Sequence, residues 1–309
     1  MSRTEIKRIL LTGASGQLGS HLKSLIGHRA RVFAPDRSEF NLAEPESIRR
    51  GLAESRPDLI INCAAYTQVD RAEEEPETAR AVNAEAPALL AGEAARLGAA
   101  LVHFSTDYVY DGEQSGPYLE TDPVNPLSVY GETKAEGDRA IASSGIPHLI
   151  FRTSWVYSER GRNFLQTILR LASERPELKI VDDQVGAPTW SFCLARGTLQ
   201  VLDNLLGEDW QGALDRLASA SGVYHMTCAG KTTWYGFARA ILEKAGLPAP
   251  PRLIPIPSSE YPVPARRPKN SVLDNSRLKQ TFGVVLPPWE EALSDCLQRV
   301  SLPSSPPNP

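Results

Sequence analysis

A chain of 309 residues is long enough for one large α/β domain and a smaller one. With 41% hydrophobic and 23% charged residues it has the make-up of a soluble globular protein, and a net charge of −4 argues against a nucleic-acid partner, whose binding surface needs an excess of Lys and Arg. The start, Met1-Ser-Arg-Thr-Glu-Ile-Lys7, lacks the apolar core of a signal peptide or membrane span, and Cys63, Cys193, Cys228 and Cys296 lack metal or disulfide spacing, so a cytoplasmic protein with buried thiols is expected.

Ile9-Leu-Leu-Thr12 reads as a buried strand and runs into Gly13-Ala-Ser-Gly16-Gln-Leu-Gly19, followed by the helical spacing of Ser20 to Leu25. Strand, glycine turn and helix in that order form the phosphate cradle of a dinucleotide-binding fold. The first glycine permits the turn, the second lets backbone approach a pyrophosphate, and the third lets helix pack on strand. An ordinary glycine turn is the alternative. The next strand, Arg31-Val-Phe-Ala34, ends at Pro35-Asp36-Arg37, where an acidic residue would bond an adenosine ribose. Asp36 favours an unphosphorylated ribose and Arg37 could pair with a 2′-phosphate, so NADH and NADPH both stay open.

Strands are predicted at Leu59 to Ala65, Ala100 to Ser105 and His148 to Arg152, with helices at Thr78 to Leu97, interrupted near Pro87, and at Ser128 to Ser143. This alternation predicts a doubly wound, parallel Rossmann-type sheet covered by helices. Ligands in such sheets bind beyond the carboxyl ends of the strands, which here carry Gly13, Asp36, Ala64-Ala-Tyr66, Ser105-Thr-Asp107 and Thr153-Ser-Trp155. Within the Ser128 helix, Tyr130 and Lys134 lie about one turn apart and share a face. A free phenol loses its proton near pH ~10, and a neighbouring cation would lower that value. The same spacing also occurs on ordinary helix surfaces.

After Trp155 the regularity fades. Asn163 to Ala172 and Thr233 to Ala245 read as helices, Lys179-Ile-Val181 as a short strand and Asp183 to Thr189 as a turn. Pro248 to Pro268 is too rich in proline for helix or central strand, so it should be loop and edge structure walling the cleft. The expected division is a cofactor domain over 1–155, joined again by about 183–205, and a smaller mixed α/β substrate-binding domain over 156–300. The tail 301–309 is expected to be disordered. Five histidines without a His-Glu-x-x-His pattern weigh against a zinc hydrolase.

The glycine loop, the Ser-Thr-Asp run and Tyr-x-x-x-Lys, in this order, resemble the extended short-chain dehydrogenase/reductase superfamily. Ala65-Tyr-Thr-Gln-Val-Asp70, Ser105 to Gly112, Phe151 to Tyr157, Asp183 to Thr189 and Pro264-Ala-Arg-Arg-Pro268 narrow the resemblance to the dTDP-4-dehydrorhamnose reductase family, over about residues 6 to 298. The resemblance implies reduction of a 4-keto sugar nucleotide by NADPH or NADH, in the synthesis of dTDP-L-rhamnose for lipopolysaccharide or cell-wall polysaccharide.

It further implies that Tyr130 is the proton donor, that Lys134 bonds the nicotinamide ribose and acidifies the phenol, and that Thr106 holds the carbonyl oxygen. Asp107 and Trp155 would touch the sugar. Gly16, Gln17 and Leu18, with Gly13 and Gly19, would hold the pyrophosphate. Asn41 and Leu42 would meet adenine, and Ala65, Tyr66 and Thr67 would line the cofactor. Asn83 would complete an Asn-Thr-Tyr-Lys set. Arg266 and Arg267 could meet the diphosphate or be surface residues. Some members form dimers bridged by magnesium through a Glu two residues after the third glycine; His21 stands there, a poor ligand for a hard cation. No bound metal is expected, and a homodimer stays open.

Two other functions fit parts of this pattern. A dehydratase of the superfamily needs an Asp-Glu pair after the Thr, and Thr106-Asp107-Tyr108 lacks the Glu, whereas an epimerase would reuse Tyr and Lys. A non-catalytic regulatory subunit of the methionine adenosyltransferase type also shares the sequence pattern.

Overall fold

The computed structural model describes residues 8–206 and 210–300. The N-terminal segment and the tail 301–309, both read above from sequence, lie outside them. The strands are β1 (Arg8–Thr12), β2 (Arg31–Phe33), β3 (Leu59–Asn62), β4 (Ala100–Thr106), β5 (His148–Thr153), β6 (Val156–Tyr157), β7 (Glu177–Val181), β8 (Val185–Gly186), β9 (Thr189–Trp190), β10 (Gly222–His225), β11 (Thr232–Thr233) and β12 (Arg252–Ile256). Six of them form one parallel sheet in the order β10-β5-β4-β3-β1-β2. The winding reverses between β1 and β3, which leaves a crevice at their carboxyl ends.

Every residue of β3, β4 and β5 is buried, as expected of parallel strands covered on both faces. Alternation divides their side chains between two cores. Leu10, Ile60, Leu101 and Ile150 pack beneath α2 (Pro45–Ser55), α5 (Ala86–Leu97) and α6 (Val129–Ala142). Leu11, Ile61, Val102 and Phe151 face the other way, toward α1 (Gln17–Ile26), α7 (Phe164–Glu174) and α8 (Ser191–Leu206). The sixth strand and α8 come from the region where the sequence pattern had faded. They return to the main sheet through contacts that local periodicity does not carry.

The helix expected over 78–97 begins at Pro76, and its interruption is a π turn at Ala81–Glu85. The Ala86 N–H donates to the Ala81 carbonyl, and Pro87, four residues after Asn83, has no N–H to give it. In α6, Ser128 Oγ caps the start by accepting from the Gly131 N–H at 3.2 Å. Gly131 is required by close approach: a Cβ there would stand 2.2 Å from the Tyr108 carbonyl oxygen. That contact seats Tyr130 beside the turn that follows β4.

The proline-rich stretch contributes β12, which pairs in parallel with β7, and a 3-10 turn at Ser258–Glu260, and against expectation none of its residues lines the crevice. The Asp183–Thr189 segment is less of a free turn than its sequence implies. Val185 and Gly186 pair with β11, and Thr189 with Val156.

Candidate active site

A cavity of about 660 Å³ lies at the crevice, lined by the carboxyl ends of β1, β3, β4 and β5. Its first wall is the glycine loop. Gly13 has a φ of +64°, and a Cβ on Gly19 would lie 2.2 Å from the Gly13 carbonyl oxygen, so α1 can sit this close to β1 only with glycine there. Helix α1 starts at Gly16 with no side-chain cap and no acidic residue in its first turn. Its free N–H groups and the positive end of its dipole therefore meet an anion well. Gly13, Gly16, Gln17 and Leu18 line the cavity; Gly19 supports them from behind.

Asp36, Arg37, Asn41 and Leu42 line the far end. Asp36 Oδ1 accepts from the Ser38 N–H (2.8 Å), Ser38 Oγ (2.6 Å) and the Glu39 N–H (3.2 Å), and these bonds hold its carboxyl below the usual range. One oxygen thus shapes the turn. Asn41 is likewise tied locally: Oδ1 accepts from the Ala43 N–H at 3.1 Å and Nδ2 donates to Glu44 at 2.7 Å.

Ala65, Tyr66 and Thr67 form the next wall. Asn83, buried on the π turn, accepts from the Tyr66 N–H at 2.9 Å and donates to the Tyr66 carbonyl at 3.0 Å. It also reaches Thr133 of α6 at 3.3 Å. Asn83 does not line the cavity; it fixes the backbone that does.

Thr106, Asp107, Tyr130 and Lys134 meet at the floor. Thr106 Oγ1 donates to Asp107 Oδ1 at 2.9 Å and accepts from the Tyr108 N–H at 3.2 Å, and Tyr130 lies with it at this floor. Asp107 also accepts from Ser154 Oγ at 3.0 Å, and burial pushes its carboxyl up to about 6. Burial likewise pushes the Tyr130 phenol up to about 12; the Thr106 hydroxyl opposes this and the charges of Asp107 and Asp138 add to it.

This corrects the expectation that Lys134 acidifies Tyr130. Lys134 Nζ donates to the Phe104 carbonyl at 2.6 Å and stands 2.9 Å from His103 Nε2, so its contacts are to β4. Burial lowers Lys134 itself to about 8, against the pull of Asp138. The shared helix face is real, but burial, not the partner residue, sets the direction of both groups.

Trp155 adopts a φ of +46°, a left-handed conformation that a bulky residue holds only when its surroundings fix it. Here its ring stacks on Trp234, with centroids 3.6 Å apart and planes at 7°. It lines the cavity. Arg267 instead donates to Asp70 at 2.7 Å, Arg266 is exposed, and neither lines the cavity. His21 Nε2 lies 3.3 Å from Glu159 Oε2, with its ring edge-on to Phe192, and burial lowers its pKa despite that carboxylate.

The family described as RmlD substrate binding domain matches residues 7–302. A dTDP-4-dehydrorhamnose reductase of Burkholderia thailandensis is 48% identical over 297 residues, covering 94% of this chain and 98% of that protein. The chain belongs to the dTDP-4-dehydrorhamnose reductase family. Among solved structures, the Clostridium acetobutylicum dTDP-4-dehydrorhamnose reductase superposes with a TM-score of 0.85 at 38% identity, covering 94% of this chain and 98% of that one. The Bacillus anthracis dTDP-4-dehydrorhamnose reductase, crystallised with NADP, gives 0.86 at 31% identity over 95% and 99%.

For a member of this family, the sequence reading of the cavity is incomplete in its second half. Arg162 and Asn163 also line it. Asn163 Nδ2 donates to Gln17 Oε1 at 3.1 Å, which ties the glycine loop to the segment before α7. The signal was present: Asn163-x-x-Gln166 has capping-box spacing, and Asn163 Oδ1 accepts from the Gln166 N–H at 3.1 Å. Ser105 and Thr153 border the floor beside residues the sequence did single out.

Proposed function

We propose that this protein reduces the 4-keto group of dTDP-4-dehydro-6-deoxy-L-mannose, giving dTDP-L-rhamnose, with NADPH or NADH as reductant. The observation that carries the reading is Tyr130, with Thr106 and Lys134, in the same cavity as the uncapped helix start at Gly16. A bound nicotinamide supplies the two electrons and the hydrogen that reach the carbonyl carbon. The phenol, pushed up to about 12, stays protonated at neutral pH and can give its proton to the sugar oxygen as charge develops there. Thr106 Oγ1 is placed to turn its donated bond from Asp107 to that oxygen, a contact that strengthens as charge builds. Trp155 and Asp107 take the sugar side, and Gly13 to Gly19, Asp36 to Leu42 and Ala65 to Thr67 take the cofactor side.

We assign residues 1–155 and about 183–205 to cofactor binding and most of 156–300 to substrate binding. A cytoplasmic location fits this reading, as does a small-molecule rather than a nucleic-acid partner. No helix among the described residues is long and apolar enough to cross a membrane. Dehydration is disfavoured because the position after Asp107 is Tyr108, whose ring meets Tyr130 edge-on at 5.9 Å, so a second carboxylate is missing there. Incubation with the keto sugar nucleotide and NADPH tests the proposal. Stoichiometric loss of absorbance with formation of the 4-hydroxy sugar is expected. Conversion without consumption of cofactor would mark an epimerase, and capture of an adenosyltransferase without turnover would mark a regulatory subunit.

Cofactor preference is set at the Asp36 end. Asp36→Asn keeps an acceptor for the Ser38 N–H while removing the charge that repels a 2′-phosphate. The NADPH to NADH ratio of kcat/KM should rise about two- to fivefold, the scale of a solvent-screened charge contact. An unchanged ratio would remove Asp36 from the ribose site.

A further inference from the structure

On the face of the sheet beneath α6, the last residues of β1 and β3 and the middle of β4 carry polar side chains where the core is otherwise apolar. Thr12, Asn62 and His103 pair in register across β1, β3 and β4, and all three are buried. Thr12 Oγ1 accepts from the Ala64 N–H at 3.2 Å and donates to Asn62 Oδ1 at 2.6 Å. Asn62 Nδ2 lies 3.0 Å from His103 Nδ1, and His103 Nε2 lies 2.9 Å from Lys134 Nζ. The row runs from the residue before Gly13 to the lysine one turn from Tyr130.

A neutral imidazole offers one N–H and one acceptor. The Thr12 hydroxyl needs Asn62 Oδ1 as its acceptor, so Asn62 presents an N–H to Nδ1 and the ring proton falls on Nε2. An Nε2–H facing Nζ bonds a neutral amine. For Lys134 to be an ammonium, the ring proton must move to Nδ1 and the Asn62 amide must turn over. A doubly protonated ring is no alternative, because burial and the neighbouring lysine hold His103 far below its ordinary value.

We propose that His103 is a positioning residue that acts through Lys134, and that the Thr12–Asn62–His103 row couples the charge on Lys134 to the histidine tautomer. This rests on the reductase reading for its kinetic consequence only. The other charged and titratable groups around Lys134 are few. Asp138, one turn on along α6, pairs with Arg152 of β5 at 3.1 Å. Tyr130 and Asp107 lie at the cavity floor, Cys63 is kept as a thiol by burial, and Arg80 and Glu136 pair with each other at the surface of α6. Glu73 accepts from the Val129 N–H at the start of that helix.

The test uses the full-length protein. In His103→Phe an ammonium at Lys134 loses an acceptor, so the basic limb of the pH profile of kcat/KM should move acidward by about one unit or more, with KM for the keto sugar within about twofold. His103→Gln, whose amide oxygen can accept, should restore most of the shift. Independently, ¹⁵N-histidine spectra of the unliganded protein should show a ring that stays neutral from pH 6 to 10 while its Nδ1 and Nε2 signals exchange character. Lys134→Met should abolish that exchange. A pH profile unmoved in both His103 variants, or a tautomer constant over this range, would overturn the proposal. If His103→Phe does not fold, His103→Gln and the spectra decide. Absence of any keto-sugar reduction by the unaltered protein sinks the reductase reading and leaves the spectra to judge the row.

Discussion

Tyr130→Phe is expected to lower turnover by at least ~10²-fold, the range for a positioned acid, while NADPH affinity stays within about twofold. The ring would keep its edge-on contact with Tyr108, centroids 5.9 Å apart, so the cavity wall should survive. What is lost is the hydroxyl at the floor of the cavity that also holds Thr106 and Lys134. In the proposed reduction it must arrive protonated, and burial, which pushes the phenol up to about 12, favours that form at every pH a cell meets. The relevant measurements are kcat with the keto sugar nucleotide and a fluorescence titration with NADPH. Near-normal turnover in this variant would exclude Tyr130 as the donor. A large loss of cofactor affinity would instead mean that the phenol serves chiefly to hold the nicotinamide end.

The glycine-loop wall of this cavity was legible because its signals are local. Gly13, Gly16 and Gly19 sit within seven residues, and the strand before them reads as one apolar run. Helix α6 was placed within a residue at each end, since Ser128 is a capping residue and the apolar face repeats. The direction of the Tyr130 pKa was not legible. Spacing of four shows that two side chains share a face; it does not show that the lysine amine is held by His103 and Phe104, some thirty residues earlier in the chain. Strand β10 was missed for the same reason, and α8 was not read as a helix although about 183–205 was expected to rejoin the cofactor domain. Their places depend on pairing with β5 and packing against α1, which neither segment's own pattern contains.

A second non-local row gives the largest expected effect on stability. Ser105, Arg152 and His225 stand in register on β4, β5 and β10, all buried. Asp138 reaches down from α6 and accepts from Ser105 Oγ at 2.9 Å and Arg152 Nε at 3.1 Å, with side chains of Arg152 and Asp138 only 6% and 3% exposed. Arg152 also donates to the Tyr110 hydroxyl at 2.8 Å. Asp138→Leu would leave a guanidinium buried without its counter-charge, and should lower the free energy of unfolding by about 3–5 kcal/mol. Removing the exposed Arg170–Glu174 pair by Glu174→Ala should cost under ~1 kcal/mol. Urea denaturation at pH 7 separates the two, and a loss below ~1 kcal/mol for Asp138→Leu would show that Arg152 finds other partners or water. The double variant Asp138→Leu/Arg152→Met removes both charges and should recover much of the stability, because a buried pair gains little net energy over apolar residues that fit. Its catalysis should not recover with it. Asp138 is the group that opposes burial in keeping a proton on Lys134, so without it the lysine should titrate below about 8, and reduction should fail at a lower pH than in the unaltered protein. Stability restored together with an unshifted pH profile would show that Asp138 serves the fold alone.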